Sequence, residues 1–308
     1  MDITSIGETL LDSRTKGIPG TTKPFALADI AAKGWNVLNE DMPLPLMVLK
    51  RASMDYNIDL FADYLTSHDL SLAPHGKTTM SPQIFNSQLE HGAWGICAAT
   101  VNQMQVMRHH GVKRIVLANQ LVGKSNLKTV AAELAADPDF QFFCFIDSAA
   151  LLDHMSQNLA ELSLARPLNV LIEIGATGGR TGMRTKTEAL ALIQQIAERP
   201  RQFRFCGLSA FEGALPGLEQ GDAPVRAFAD LVLEIAKSLP AETTKGIDEF
   251  ILSGGGSAYF DIIADRFKTL RLSVPVRVLL RSGCYVTNDH GGYEISQEQA
   301  RLDPSRHW

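Results

Sequence analysis

The chain alternates short β-branched or apolar runs with longer stretches of helical period, from about residue 46 onward. This alternation is typical of βα units arranged around a parallel sheet. The candidate strands cover residues 70–74, 94–99, 114–119, 140–147, 168–175, 203–211, 250–254 and 276–283. Eight strand and helix pairs within about 250 residues predict one closed (β/α)8 TIM barrel, because right-handed crossovers favour closure. An open doubly wound sheet is the alternative fold.

Composition places the 308-residue chain among ordinary globular proteins, with 45% hydrophobic and 20% charged residues. The net charge is −5, and no block of Lys and Arg is interleaved with aromatics, so nucleic acid is not an expected partner. No apolar run is long enough to cross a bilayer, and the first residues lack the basic and apolar regions of a signal peptide. We therefore expect no membrane partner and a cytoplasmic location.

The four cysteines, Cys97, Cys144, Cys206 and Cys284, are far apart and lie mostly in apolar runs. This distribution predicts buried, reduced thiols rather than disulfides. No Cys-x-x-Cys pair of the zinc type occurs, and the histidines do not have the spacing of metal ligands. The sequence therefore assigns no metal ligand.

Lys77 follows the first candidate barrel strand and precedes a helix-compatible stretch. Barrel active sites lie at the carboxyl ends of the strands. A lysine held there in a water-poor pocket has a lowered pKa and can form a Schiff base with an aldehyde cofactor. The alternative is a solvated surface lysine. His75, two residues earlier, either faces the same pocket or packs under the first turn.

A glycine-rich loop follows the seventh candidate strand and consists of Ser253, Gly254, Gly255, Gly256 and Ser257. Successive glycines let backbone N–H groups converge on an anion without obstruction by side chains. The helix predicted over residues 258–264 adds a favourable dipole. Barrels often bind phosphate at the loops after the seventh and eighth strands, so the loop predicts a phosphate site. A flexible turn is the alternative.

Several separated blocks of the sequence share the order of one enzyme group. They are APHGKTTM at 73–80, GAWG at 92–95, LANQ at 117–120, GGRTG at 178–182, FEG at 211–213, SGGGS at 253–257 and RSGCY at 281–285. These blocks resemble the fold-type III pyridoxal 5'-phosphate (PLP) enzymes of the D-serine dehydratase and D-threonine aldolase group. Within that group the chain is most similar to the bacterial amino acid deaminases, also called cryptic D-serine dehydratases. The resemblance implies a barrel of the alanine racemase N-terminal-domain type.

The resemblance also implies the site. Lys77 is expected to hold PLP and to act as the catalytic base, and Arg180 to contact the phenolic oxygen of the cofactor. Gly283, Cys284 and Tyr285, after the eighth strand, are expected to supply two N–H groups and a phenol to the phosphate. The full predicted cofactor-binding set is Lys77, His75, Arg180, Ser253, Gly254, Gly255, Gly256, Ser257, Gly283, Cys284 and Tyr285.

Two positions depart from the pattern of the group. Phe211 stands where relatives usually have an aromatic hydroxyl, so this position cannot donate a hydrogen bond to the pyridine nitrogen. Asn288 stands where relatives tend to have histidine, which leaves the substrate contacts near Asp289 and His290 open.

The expected reaction is deamination of D-serine or a related D-3-hydroxy amino acid to a keto acid and ammonia. The alternatives are carbon–carbon cleavage of the D-threonine aldolase type, a non-catalytic PLP-binding protein, and an inactive truncated homologue. A small D-amino acid is the expected partner, and a homodimer, which relatives form, is a further expectation.

The predicted domains are an N-terminal extension over residues 1–45, a PLP-binding barrel over residues 46–293 and a polar tail over residues 294–308. The second, β-rich domain of the group is expected to be absent. In dehydratase relatives that domain provides a His and Cys pair for zinc. Zinc or another divalent metal is therefore expected only in full-length relatives.

Overall fold

The computed structural model describes residues 1–302 and Arg306, except for the side chain of Gln220. Contacts within the chain divide it into two units, Met1–Tyr56 and Asn57–Trp308. The boundary predicted after residue 45 lies inside the first unit. In the described part of the chain, no helix is both long and apolar enough to cross a membrane.

The first unit contains little regular structure. Its elements are helix α1 (Thr4–Gly7), the antiparallel strands β1 (Leu10–Leu11) and β2 (Phe25–Ala26), and 3-10 turns at Leu27–Asp29, Ala31–Lys33 and Val37–Asn39. Gly34 adopts a left-handed conformation with φ of 64°, which ends the turn Ala31–Lys33. Residues 46–50 form no regular element.

The second unit contains eight parallel strands, which confirms the predicted barrel. They are β3 (Ser71–Leu72), β4 (Ile96–Ala98), β5 (Arg114–Gln120), β6 (Gln141–Ile146), β7 (Leu168–Ile174), β8 (Phe203–Ala210), β9 (Phe250–Gly254) and β10 (Val276–Leu280). The order is β3-β10-β9-β8-β7-β6-β5-β4. The Trp94 N–H donates to the Leu72 carbonyl at 2.7 Å and the Cys97 N–H to the Pro74 carbonyl at 2.9 Å, which closes the sheet between β3 and β4.

Helices connect the strands. They are α2 (Arg51–Ser67), α3 (Pro82–Glu90), α4 (Val101–His109), α5 (Lys124–Ala136), α6 (Ala149–Ala160), α7 (Lys186–Ala197), α8 (Ala223–Lys237), α9 (Phe260–Phe267) and α10 (Gly292–Leu302). Side chains of Thr100, Ser148 and Thr185 cap three of them by accepting backbone N–H bonds. Each such cap contributes about 1 kcal/mol.

The barrel interior is filled by apolar side chains from all eight strands or the residues that flank them. The buried cluster comprises Ala73, Cys97, Val116, Phe143, Phe145, Leu171, Cys206, Ile251 and Leu279. Cys97, Cys144 and Cys206 are buried, Cys284 is half-buried, and all four are free, as predicted. Burial raises the pKa of Cys97 to about 12, so its thiol stays protonated and inert.

The segment predicted as a polar tail is helical over Gly292–Leu302. Tyr293 and Ala300 are buried on this helix, which gives it the apolar face that the prediction overlooked. Arg306 forms an ion pair with Asp261 of α9 at 2.6 Å. The described part of this segment therefore packs as part of the second unit.

Candidate active site

Three loops meet at the carboxyl ends of the strands. Lys77 lies on the 3-10 turn Gly76–Thr78 that follows β3. The backbone at Gly283, after β10, packs so closely on this turn that a Cβ there would lie 2.7 Å from the Thr78 Oγ1. The Cys284 N–H donates to the Ser257 Oγ at 3.3 Å, which joins the loops after β9 and β10. The structure thus brings together residues from three separate predicted motifs.

The Lys77 side chain is exposed. A water-poor pocket was predicted for it, and the structure differs because Lys77 lies on the turn beyond β3 rather than in the packed strand layer. Its positive charge still acts on the buried interior, since it lowers the pKa of both His75 and Cys97. The amine therefore lies at the barrel mouth.

His75 is the neutral centre of a cluster of cations. Burial first of all, together with the positive charges of Lys77, Arg281 and Arg180, lowers the pKa of its imidazole to about 3. Its Nδ1 is buried and has no hydrogen-bond partner among the residues that the structure describes. A buried unpartnered ring nitrogen is costly, so this atom marks a place for a ligand group.

Arg281 is a buried cation that sequence analysis missed. It is 8% exposed and follows β10 directly. Its guanidinium donates to the hydroxyls of Ser209 at 2.8 Å and Ser253 at 2.7 Å, and to the carbonyl of Ala210 at 2.8 Å. An arginine at the end of an apolar strand is the signal that would have identified it.

Ser253 and Gly254 are the last two residues of β9, within the strand predicted over residues 250–254. The Ser253 side chain is fully buried, donates to the Leu279 carbonyl at 3.1 Å and accepts from Arg281. Because its hydroxyl is used within the barrel, Ser253 supports Arg281 instead of lining the phosphate loop.

The Glu212 side chain, which follows β8, contacts the backbone of the glycine-rich loop. The Gly255 N–H donates to the Glu212 Oε2 at 3.3 Å, and the Gly256 N–H donates to the Oε1 of the same carboxylate. Glu212 is fully buried, and this burial raises its pKa, against the lowering effect of the glycine amides and Arg281. The predicted loop therefore binds a carboxyl group, and that group belongs to the protein itself.

A polar network lies beside Arg180. Glu173, buried at the end of β7, accepts hydrogen bonds from Gln120 and Thr181. Burial raises the pKa of Glu173. Because Thr181 follows Arg180 directly, Glu173 fixes the loop that carries the predicted cofactor contact. The Arg180 guanidinium lies 5.9 Å from the ring centre of Phe211, and both line a small cavity with Glu173.

Tyr285 is held by packing and one hydrogen bond. Its ring stacks on Phe61 with centroids 4.5 Å apart, and its hydroxyl accepts from the Gln88 Nε2 at 3.0 Å. Burial raises the pKa of Tyr285 to about 12, so the phenol keeps its proton and can still donate it. Asn288, where the sequence departs from its relatives, adopts a left-handed conformation with φ of 58°.

The residues at the barrel mouth fit a phosphate-bearing aldehyde. The Ser257 hydroxyl accepts from the Cys284 N–H and can donate its own proton, Lys77 is an exposed primary amine, and His75 has an unpartnered nitrogen. Across residues 1–302 and Arg306, no group of three or more His, Cys, Asp or Glu side chains is placed to hold a metal ion.

Residues 49–271 match the model of the alanine racemase N-terminal domain. The chain belongs to this family. It is a family of fold-type III PLP enzymes, and the resemblance stated from the sequence is confirmed. The fold of this family is the (β/α)8 barrel, and PLP is its expected cofactor.

Curated relatives of this alanine racemase-like chain carry lyase names. It is 28% identical over 253 residues to a D-threonine aldolase of an Arthrobacter species, covering 81% of this chain and 63% of that protein. It is 24% identical to a 3-hydroxy-D-aspartate aldolase of Paracoccus denitrificans, covering 72% and 57% of the two chains. The chain thus spans about three fifths of the length of these curated relatives.

Solved structures share the alanine racemase-like fold. D-threonine aldolase from Filomicrobium marinum superposes with a TM-score of 0.63 at 22% identity, covering 82% of this chain and 67% of that one. D-threo-3-hydroxyaspartate dehydratase from Delftia sp. HT23 gives a TM-score of 0.63 at 18% identity, with coverage of 86% and 65%. At these identities the structures support the fold.

Proposed function

We propose that the chain is a PLP-dependent lyase acting on D-serine or a related D-3-hydroxy amino acid, with release of a keto acid and ammonia. The main support for the proposal is that the turn with Lys77 contacts the loop of Gly283, which in turn bonds the loop of Ser257, at one end of the barrel. Relatives named for lyase activity on D-threonine and 3-hydroxy-D-aspartate support the substrate class.

Each residue has an assigned task. The Ser257 hydroxyl and the N–H groups of Gly283 and Cys284 would hold the phosphate, and the Lys77 amine would hold the aldehyde as a Schiff base with loss of water. Arg180 neutralises the phenolic oxygen. When bound, PLP withdraws electrons from the α-carbon of the amino acid and so acidifies its α-proton.

The proton chemistry belongs to the protein. Lys77 would serve as the base that takes the α-proton, at its Nζ. His75 stays uncharged at neutral pH because its pKa is near 3, so it does not compete with Lys77 for that proton. Tyr285 keeps its phenolic proton and remains a hydrogen-bond donor. A single base therefore serves the reaction, which fits removal of one proton from one enantiomer.

Two reactions are open to the bound amino acid. Loss of the α-proton and the 3-hydroxyl as water, followed by hydrolysis, gives a keto acid and ammonia. Removal of the 3-hydroxyl proton with cleavage between the α and β carbons gives the products of an aldolase instead. A third function, PLP binding without turnover, is favoured by one observation, which is the exposure of the Lys77 side chain. An exposed amine can hold PLP, but it is poorly shielded from water during proton transfer.

The test starts from protein purified with added PLP. Visible absorption is recorded before and after borohydride for wild type, Lys77→Ala and Lys128→Ala, where Lys128 is an exposed lysine on α5. We expect a reducible band, and a mass increase on the Lys77 peptide, in wild type and Lys128→Ala alone. A band that persists in Lys77→Ala would reject the assignment of the lysine.

Product analysis then separates the functions. D-serine, L-serine and D-threonine are supplied with and without zinc, and pyruvate, ammonia, glycine and acetaldehyde are measured. Pyruvate and ammonia from D-serine alone support deamination, whereas glycine and acetaldehyde from D-threonine support the aldolase. A Lys77 adduct without any product supports the non-catalytic PLP-binding protein.

A further inference from the structure

Glu212 has a position that the proposed reaction does not use. It follows β8, is fully buried, and its carboxylate accepts the N–H groups of Gly255 and Gly256. These are the central amides of the loop that was predicted to bind phosphate. An internal carboxylate therefore holds the donors that an external anion would otherwise use.

The Ser257 hydroxyl is a donor directly beside this carboxylate. Ser257 is the next residue after Gly256, and because its Oγ accepts from the Cys284 N–H at 3.3 Å, its own proton can point to a ligand. A phosphate held by the Ser257 hydroxyl therefore binds at the residue next to an amide that donates to Glu212. Two like charges at neighbouring positions repel each other, and the burial of Glu212 weakens the screening of its charge by water.

The charges around Glu212 come from several elements. Arg281, after β10, acts on its carboxylate as a positive charge. Tyr259, before α9, is close enough for the Glu212 charge to raise the pKa of its phenol. The aromatic ring of Phe211 packs beside Gly256 and excludes polar partners from that side. Arg281 is thus the group that offsets the Glu212 charge.

We propose that Glu212 is an internal anion that sets the phosphate affinity of the site, opposing a bound dianion when it is ionised and admitting it when it is protonated. The identity of the ligand rests on the proposed function. The sign follows from the chemistry of a carboxylate, since rising pH ionises Glu212 and lowers the affinity for phosphate. Burial, which raises the pKa of Glu212, brings this change closer to neutral pH.

The test uses inorganic sulfate as the probe, because it remains a dianion between about pH 5.5 and 8.5, well above its own ionisation range. Sulfate affinity is measured by calorimetry for the cofactor-free wild type, Glu212→Gln and Glu249→Gln. Glu249 pairs with Arg277 at the opposite end of β9 and serves as the matched control. In wild type and Glu249→Gln we expect affinity to fall on the order of tenfold as pH rises across this range.

In Glu212→Gln we expect tighter sulfate binding at high pH and loss of most of the pH dependence. Unchanged or weaker binding by a Glu212→Gln protein that melts like wild type would overturn the proposal. Absence of sulfate binding by wild type at every pH would overturn it as well, because the assigned donors would then not form an anion site.

A second measurement covers the case in which Glu212→Gln does not fold. Sulfate binding to Lys77→Ala is followed in buffers of different ionisation enthalpy, which reports proton uptake without a contribution from Lys77. We expect net uptake of a proton at neutral pH, and its absence refutes the role of Glu212. Neither measurement uses PLP, so a missing Lys77 adduct rejects the proposed function without deciding this inference.

Discussion

The ion pair between Arg306 and Asp261 provides the sharpest stability prediction. The Arg306 Nε donates to the Asp261 Oδ2 at 2.8 Å, and its guanidinium also donates to Oδ1 at 2.6 Å and to the Ala258 carbonyl at 2.7 Å. The two side chains are only 6% and 2% exposed. Two parallel bonds from one guanidinium to one carboxylate form a strong and directional pair.

Arg306→Leu removes the cation and leaves Asp261 as a buried carboxylate without its partner. Loss of one member of a buried pair costs about 3–5 kcal/mol, since the desolvated charge is no longer compensated. For a domain of this size each kcal/mol lowers Tm by roughly 2 °C, so we expect a decrease of roughly 6–10 °C. Asp261 lies in the first turn of α9, so the loss also loosens the end of the glycine-rich loop.

The assay is thermal unfolding followed by circular dichroism, with Arg51→Leu as the control. Arg51 forms an ion pair with Asp55, but its side chain is 80% exposed, so no measurable change in Tm is expected. The double variant Arg306→Leu/Asp261→Leu should regain at least half of the lost Tm, because it removes both charges together. An Arg306→Leu protein that melts like wild type would refute the reasoning.

Three further predictions concern substitutions of single residues. Gly207→Ala should destabilise the protein by about 3 kcal/mol or more, because its Cβ would lie 1.9 Å from the Ile251 carbonyl oxygen. The control Gly20→Ala, whose Cβ meets nothing within 4 Å, should leave Tm unchanged. If the two variants have the same Tm, this prediction is wrong. Gly283→Ala should weaken the PLP adduct in a folded protein, as its Cβ would lie 2.8 Å from the His75 carbonyl, and undiminished PLP binding would reject this. His75 has a pKa near 3 instead of 6.5, so below about pH 6.5 the unfolded chain binds a proton that the folded chain does not bind, and the free energy of unfolding falls. Urea unfolding at two pH values should show a smaller fall in this free energy for His75→Gln than for wild type. An equal fall in both proteins would exclude His75 as its source.

The strands could be predicted because parallel barrel strands are buried on both faces and appear as continuous apolar runs. The strand predicted over residues 168–175 is observed as Leu168–Ile174, and the strand predicted over residues 203–211 is observed as Phe203–Ala210. The first strand is shorter than predicted, Ser71–Leu72, because Pro74 has no N–H to donate to a neighbour. The N-terminal unit was not predictable from periodicity, since its conformation depends on single turn residues such as Gly34.

The residues of the candidate site differ in whether the sequence could predict their positions. Lys77, Ser257 and Gly283 could be placed at the barrel mouth because each follows a strand, and strand ends share one face of a barrel. Arg281 and Glu212 could not, because their environments come from residues far away in sequence. Arg281 bonds Ser209, which is 72 residues away, and Glu212 bonds an amide 44 residues away. Periodicity carries no information about such pairs.

The charges at the barrel mouth are held in place by neutral groups. Arg281 donates to two serine hydroxyls and a carbonyl, and Glu212 accepts from backbone amides. Direct pairing of a buried arginine with a carboxylate would cancel both charges and leave little field for a ligand. Neutral partners instead fix each charge while preserving its field, which is the arrangement that an anionic ligand requires. Because Lys77, Arg180 and Arg281 all lower the pKa of His75, the field at this imidazole is positive, which is the sign that the phosphate and the substrate carboxylate of the proposed function require.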